Sequence, residues 1–185
     1  MGKEKKRTET EALFLAPRDF FTEVVRDAMT QRKVRSTSLA EIYLVKLLEH
    51  FVSADNLFEE GQEEGTRSQP PLAEMLLKAV NSPPQVRVER LKKLGDTSLY
   101  VSGFCGDSLS RKVVDIDYYA DMGGTAYQNL STVVKEESSR LIYAELSSKF
   151  LDFVEILTFI STKTLIQSNQ NLLRLYERYV TTGSK

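Results

Sequence analysis

The amino-acid sequence predicts an all-α fold, a single compact helical domain of about seven helices, from three observations. Apolar residues recur every three or four positions along most of the chain, a spacing that places them on one face of a helix. Strict alternation of apolar and polar residues, which would indicate strands, is never sustained. The length of 185 residues suits one domain, and no repeat of about 30–45 residues indicates a helical solenoid.

The first helix is predicted to begin near Pro17, because proline suits the first helical position, where a backbone N–H is not needed. Asp19 then lies close to the positive end of the helix dipole. Before this helix, residues 1–11 mix charged and polar side chains without a helical period, so we expect a disordered arm. The helical domain is accordingly predicted to span residues 12–185.

Ser38 and Glu41 have the spacing of a capping box and predict the start of a second helix. This helix is apolar around most of its circumference, so we expect it at the centre of the core. Residues 55–71 contain five acidic residues, two glycines and two prolines, which predict an acidic loop. A short third helix is predicted over residues 72–80. Its apolar stripe comprises Leu72, Leu76, Leu77 and Val80.

The fourth helix is predicted to be capped by Ser82, with prolines in its first turn, and to end near Phe104. Its stripe contains the small residues Gly95, Ser98 and Ser102. A glycine inside a helix costs about 1 kcal/mol relative to alanine, so we expect it to have a packing role. These positions therefore predict that a neighbouring helix backbone approaches closely.

A fifth helix is predicted to start at the capping residue Asp115 and to continue through the glycine pair at 123–124, with a tight crossing or a kink there. A long sixth helix is predicted from Glu136. The polar residues 161–171 then precede a last helix over residues 172–180. Neither proline nor glycine separates the last two helices, so the sequence does not decide whether they join.

Composition and charge exclude several classes of function. The chain has 25 basic and 26 acidic residues, a net charge of -1, without the basic surface of a dedicated nucleic-acid binder. No window approaches the roughly 18 apolar residues that a membrane span requires, and no targeting segment is recognisable. We therefore expect a cytoplasmic protein that binds neither nucleic acid nor membrane. The single cysteine suits a reducing compartment.

Catalytic chemistry has few candidate residues in this sequence. With one histidine and one cysteine, the chain has no histidine-based metal set and no disulfide framework. His50 and Cys105 are best explained as structural residues, and the sequence assigns them no further role. No motif for a nucleophile, a phosphate or a cofactor is present. We accordingly predict no catalytic residue, no metal ligand and no cofactor.

A surface for a ligand or a partner is predicted at the start of the fifth helix. Basic and aromatic residues beside a helix start can receive an anion or an acidic segment of a partner. Asp117 and Asp121 are four residues apart on one helix face, where two carboxylates can hold Mg²⁺, although helix capping also explains aspartates here. The predicted surface comprises Arg111, Lys112, Asp115, Asp117, Tyr118, Tyr119 and Asp121.

Two functional hypotheses follow. The first is a non-enzymatic helical protein-interaction or regulatory module, adaptor-like, with a protein partner and with self-association through the apolar sixth helix. The second is a small-ligand- or metal-binding helical enzyme with a pocket between the fourth and fifth helices, near Asp115, Asp117 and Tyr119. In the second hypothesis the small residues of these helices line a cavity, whereas otherwise they close the gap between the helices. We favour the first, because no catalytic set is recognisable.

Overall fold

The structure is a computed structural model of the chain and describes residues 17–51, 71–104 and 116–168. Within these three ranges the chain forms seven α-helices and no strand, which confirms the predicted all-α fold. The predicted arm, nearly all of the acidic loop and the predicted last helix lie outside the described residues. The helices are α1 (Pro17–Arg32), α2 (Ser38–Phe51), α3 (Leu72–Val80), α4 (Pro84–Phe104), α5 (Ile116–Val133), α6 (Glu137–Ser148) and α7 (Phe150–Ser168).

Helix α4 lies at the centre of the core and packs against α3, α5 and α7. Every residue from Leu94 to Leu99 is buried, although this stretch includes a glycine, an aspartate and a serine. The prediction that α2 is the central helix was wrong, because Leu39 and Ile42 of α2 are exposed at 44% and 51%. Hydrophobicity alone therefore does not identify the central helix. The neighbours of α4 approach it closely because several of its side chains are small.

Close approach at the glycines is confirmed. A Cβ atom on Gly95 would lie 2.6 Å from Cε1 of Tyr127, and a Cβ on Gly123 would lie 2.7 Å from Cβ of Ser98. Gly103 likewise faces the Leu157 side chain of α7. Helix α5 continues through its glycine pair without a break, and of the two glycines Gly123 lies at the tight crossing, whereas a Cβ on Gly124 would have no atom within 4 Å. The small residues at these crossings close the gap between α4 and α5 and do not line a cavity there.

The predicted long sixth helix is interrupted, which corrects the prediction. Helix α6 ends at Ser148 and α7 begins at Phe150, with Lys149 between them at φ -113° and ψ 26°. The Nζ atom of Lys149 donates to the carbonyl oxygen of Arg35 over 2.7 Å, in the loop that joins α1 to α2. This contact holds the junction beside the loop, at a helix break in a stretch without proline or glycine.

Helix α7 uses its wide apolar circumference inside the molecule. Phe153, Ile156 and Leu157 are fully buried, and α7 packs against both α1 and α4. Two ion pairs, Arg32 with Glu155 and Asp27 with Lys163, join α1 to α7 at the surface. Most of the apolar circumference that motivated the prediction of self-association is therefore buried by packing on two sides, although Leu151 is exposed at 59%. Self-association itself stays a prediction.

Two predicted helix caps are placed differently by the structure. Helix α2 begins at Ser38, and its cap is the preceding Thr37, whose hydroxyl accepts a hydrogen bond from the N–H of Ala40 over 3.3 Å. Glu41 pairs with Arg26 of α1 over 2.5 Å and does not complete a capping box. The hydroxyl of Ser82 does not cap α4, since it donates backward to a carbonyl oxygen of α3. No helix within the described ranges is long and apolar enough to cross a membrane.

Candidate interaction surface

The structure describes four of the seven residues of the predicted surface. Asp117, Tyr118, Tyr119 and Asp121 lie in the first two turns of α5, and both aspartates are exposed. Arg111, Lys112 and Asp115 lie outside the described residues, so their relation to α5 stays a prediction. Among the residues described, no group of three acidic, histidine or cysteine side chains is arranged to hold a metal ion.

The two tyrosines of the predicted surface are partly buried and pack against the core. Their rings meet edge-on with centroids 6.0 Å apart. The Tyr118 hydroxyl oxygen accepts a hydrogen bond from the backbone N–H of Ala73 over 3.0 Å, and so satisfies a donor in the first turn of α3. Tyr118 therefore fixes the start of α3 against the start of α5.

An open groove lies on the other side of α5, where α5 meets the junction of α6 and α7. It has a volume of about 530 Å³ and is lined mainly by polar residues, among them Asp121, Lys149 and Asp152. The hydroxyl of Ser147 donates to the carbonyl oxygen of Gly124 at this contact. Asp121 is thus the one residue of the predicted surface that lines this groove among the described positions.

Helix α3 has apolar residues on two opposite faces. Leu72, Met75 and Ala79 are buried against the core. This corrects the predicted stripe, because Leu77 and Val80 lie outside and are exposed at 62% and 40%. The exposed Ala73 lies four residues before Leu77 and completes a row on the outer face. We call Ala73, Leu77 and Val80 the outer face of α3.

Two arginines of α4 lie at the C-terminal end of α3. Arg90 donates to the Ser82 hydroxyl over 2.8 Å and to the carbonyl oxygen of Lys78 over 3.3 Å. Arg87 donates to the carbonyl oxygen of Ser82 over 3.2 Å. Val86, in the first turn of the same helix, is exposed at 38%. In the described part of the chain neither guanidinium forms an ion pair.

Buried tyrosine hydroxyls and a buried carboxylate form the polar centre of the core. Oδ1 of Asp96 accepts hydrogen bonds from Tyr43 over 2.5 Å and from Tyr127 over 2.8 Å. Lys92 pairs with the other carboxylate oxygen, and its ammonium lies 5.3 Å from the centre of the Tyr43 ring. The Tyr143 ring stacks on Tyr127 with centroids 6.0 Å apart. Sequence patterns did not reveal this cluster, since its residues belong to four helices and only the fold brings them together.

The electrostatics of this cluster favour neutral tyrosines. Burial raises the pKa of Tyr127 well above its ordinary value, and the adjacent Asp96 carboxylate raises it further. Burial also raises the pKa of Tyr43 strongly, with Tyr127 and Asp96 adding to the effect. Both hydroxyls therefore stay protonated and donate, which satisfies the buried carboxylate and fixes the packing of α2, α4 and α5.

A second polar centre ties the loop after α1 to α6. The Glu145 carboxylate accepts from the Thr37 hydroxyl over 2.5 Å, from the Thr37 N–H over 3.1 Å and from the Ser36 hydroxyl over 3.1 Å. Lys149 also donates to it over 3.0 Å. Burial alone raises the pKa of Glu145, but the hydrogen bonds from Thr37, Lys149 and Ser36 outweigh it and lower this pKa. Both polar centres hold helices of the fold together. The outer face of α3, in contrast, is exposed.

Comparison with known proteins gives no relative for this chain. No protein-family model matches it, and neither a curated protein nor a solved structure is significantly similar. The candidate surface therefore rests on the geometry of α3 and its neighbours.

Proposed function

We propose that the protein is a non-enzymatic helical interaction module that binds a protein partner through the outer face of α3. The observation that carries the proposal is the exposure of Leu77 and Val80 on a helix whose opposite face is buried. Clustered apolar side chains on an exposed surface are typical of interaction sites. The proposal keeps the interaction hypothesis and moves its centre from the start of α5 to the neighbouring α3.

The way α3 is held supports this function. Tyr118 binds the start of the helix, and Arg90 binds the carbonyl oxygen of Lys78 near its end. Both ends are thus attached to the core, so that the outer face is presented in one orientation. A preorganised surface loses little conformational entropy when a partner binds, and this favours affinity.

The test is affinity purification from the native host with the full chain as bait, followed by mass spectrometry and by measurement of Kd with the purified partner. Leu77 and Val80 are both changed to glutamine, a good helix former without charge. The matched control changes Leu141 and Leu151, which are exposed at 62% and 59% on α6 and α7, to glutamine.

We expect the Leu77→Gln, Val80→Gln protein to bind the partner at least about tenfold more weakly than wild type, because apolar residues near the centre of an interface carry much of its energy. The Leu141→Gln, Leu151→Gln protein is expected to bind like wild type. Equal binding by all three proteins contradicts the proposal, as does a loss that is confined to the control. Circular dichroism of each variant establishes that the helices are intact.

A further inference from the structure

The outer face of α3 is a single straight row of side chains. Ala73, Leu77 and Val80 follow one another at spacings of four and three residues on a helix of nine residues, about 13 Å long. A row of this kind forms one ridge on a helix surface, and ridges of one helix pack into the grooves of another. The complementary surface is therefore a helix with apolar residues at the same spacings.

The C-terminal end of this row is positively charged. At the C-terminal end, Arg87 and Arg90 donate to backbone oxygens and to the Ser82 hydroxyl, and neither is ion-paired among the described residues. A guanidinium has five donors in a planar fork that matches a carboxylate.

We infer that the partner contributes an amphipathic helix that lies along the outer face of α3, with its acidic end at Arg87 and Arg90. The inference rests on the proposed function and specifies the partner that this function requires. Acidic residues stabilise the first turn of a helix and basic residues its last turn. The partner helix therefore runs antiparallel to α3, so that its own dipole and the charges of this surface favour the same arrangement.

The probes are two hydrocarbon-stapled peptides of about 14 residues, a length at which an unstapled helix is only marginally stable. Both have the same leucine row. The forward peptide has glutamates in its first turn and lysines in its last turn, and the reverse peptide has these charges exchanged. Binding to the full chain is measured by fluorescence anisotropy at low and at physiological salt, after circular dichroism has established equal helicity.

We expect the forward peptide to bind at least about tenfold more tightly than the reverse peptide, with a difference that shrinks as salt rises. The Arg87→Glu, Arg90→Glu protein is expected to prefer the reverse peptide. Such an inversion cannot result from partial unfolding, which weakens the binding of both peptides.

Equal binding of the two peptides, binding of neither, or a preference that the Arg87→Glu, Arg90→Glu protein retains overturns the inference. If the Leu77→Gln, Val80→Gln protein still loses the purified partner in that case, the proposed function stands and only the partner class is wrong. Sedimentation with vesicles of anionic phospholipid tests the remaining alternative, in which the outer face of α3 binds a lipid surface. Sedimentation that depends on Leu77 and Val80 would identify a lipid surface as the ligand and would overturn the helical partner.

Discussion

The backbone N–H of Ala73 in α3 donates a hydrogen bond to the Tyr118 hydroxyl of α5 over 3.0 Å. This bond links the surface that the sequence predicts to the exposed helix that the structure reveals. Together with the contact between Arg90 and Lys78, it holds α3 at both ends. The described residues leave the outer face of α3 exposed although the helix itself is anchored.

Tyr118→Phe is expected to loosen the start of α3 without disturbing the rest of the fold. The substitution removes the acceptor for the Ala73 N–H, and because this contact is exposed, water replaces part of the lost hydrogen bond. We expect a loss of about 0.5–1 kcal/mol in the free energy of unfolding. Hydrogen exchange at Ala73 should become faster, while exchange in α7 stays unchanged. Unchanged exchange at Ala73 would refute the anchoring role of Tyr118.

Gly95→Ala and Gly124→Ala are expected to change stability in opposite directions. A Cβ on Gly95 meets the Tyr127 ring at 2.6 Å, whereas a Cβ on Gly124 has no atom within 4 Å. We expect Gly95→Ala to destabilise by about 1–3 kcal/mol, because the core must shift. Gly124→Ala should stabilise by up to about 1 kcal/mol through helix propensity. Urea denaturation measures both, and a change of the same sign at the two sites contradicts the packing described here.

The buried tyrosines make stability sensitive to alkaline pH. Burial raises the pKa of Tyr43 and Tyr127 in the folded protein, so above pH 10 the unfolded chain loses protons that the folded chain retains. The free energy of unfolding therefore falls as pH rises through 10, by about 1.4 kcal/mol per pH unit for each tyrosine. We expect Tyr127→Phe to be less stable at pH 7, because Asp96 loses a donor, yet to decline more slowly above pH 10. Urea denaturation between pH 8 and pH 11.5 measures the free energy of unfolding of both proteins. An equally steep decline for wild type and Tyr127→Phe would contradict the expectation.

Glu145→Gln is expected to show the opposite pH dependence. Hydrogen bonds from Thr37, Lys149 and Ser36 lower the pKa of Glu145 in spite of its burial, so its contribution to stability is present above the unfolded value of 4.5. We expect a loss of about 1 kcal/mol at pH 7, and a difference from wild type that shrinks as pH falls below 4.5. Thermal unfolding at pH 7 and pH 3.5 measures both. A difference that is equal at the two pH values contradicts the charge-assisted role of this carboxylate.

Most helices follow directly from apolar spacing and helix-end signals. Residues 72–80 form the predicted third helix, and Pro17 begins the first. The break at Lys149 was not predictable, since a hydrogen bond to Arg35, more than a hundred residues away, accompanies it. Periodicity also did not distinguish the buried from the exposed face of α3, because both faces are apolar and only the packing of α4 and α5 decides between them.

The candidate site was predicted only in part. A cluster of tyrosines, aspartates and basic residues predicts a surface at the start of α5, and Tyr118 of this cluster accepts a hydrogen bond from Ala73 of α3. The outer face of α3 was missed because a single sequence does not show exposure, and Leu77 and Val80 have the same spacing as core residues. Arg87 and Arg90 lie at the C-terminal end of α3 because the turn between α3 and α4 is tight.

Hydrogen–deuterium exchange of the full chain, free and bound to its purified partner, locates the surface at which the partner binds. We expect protection on binding to be concentrated in residues 72–80, with weaker protection at the start of α5 and in the first two turns of α4. Protection confined to α6 and α7, with exchange in α3 unchanged, would contradict this expectation.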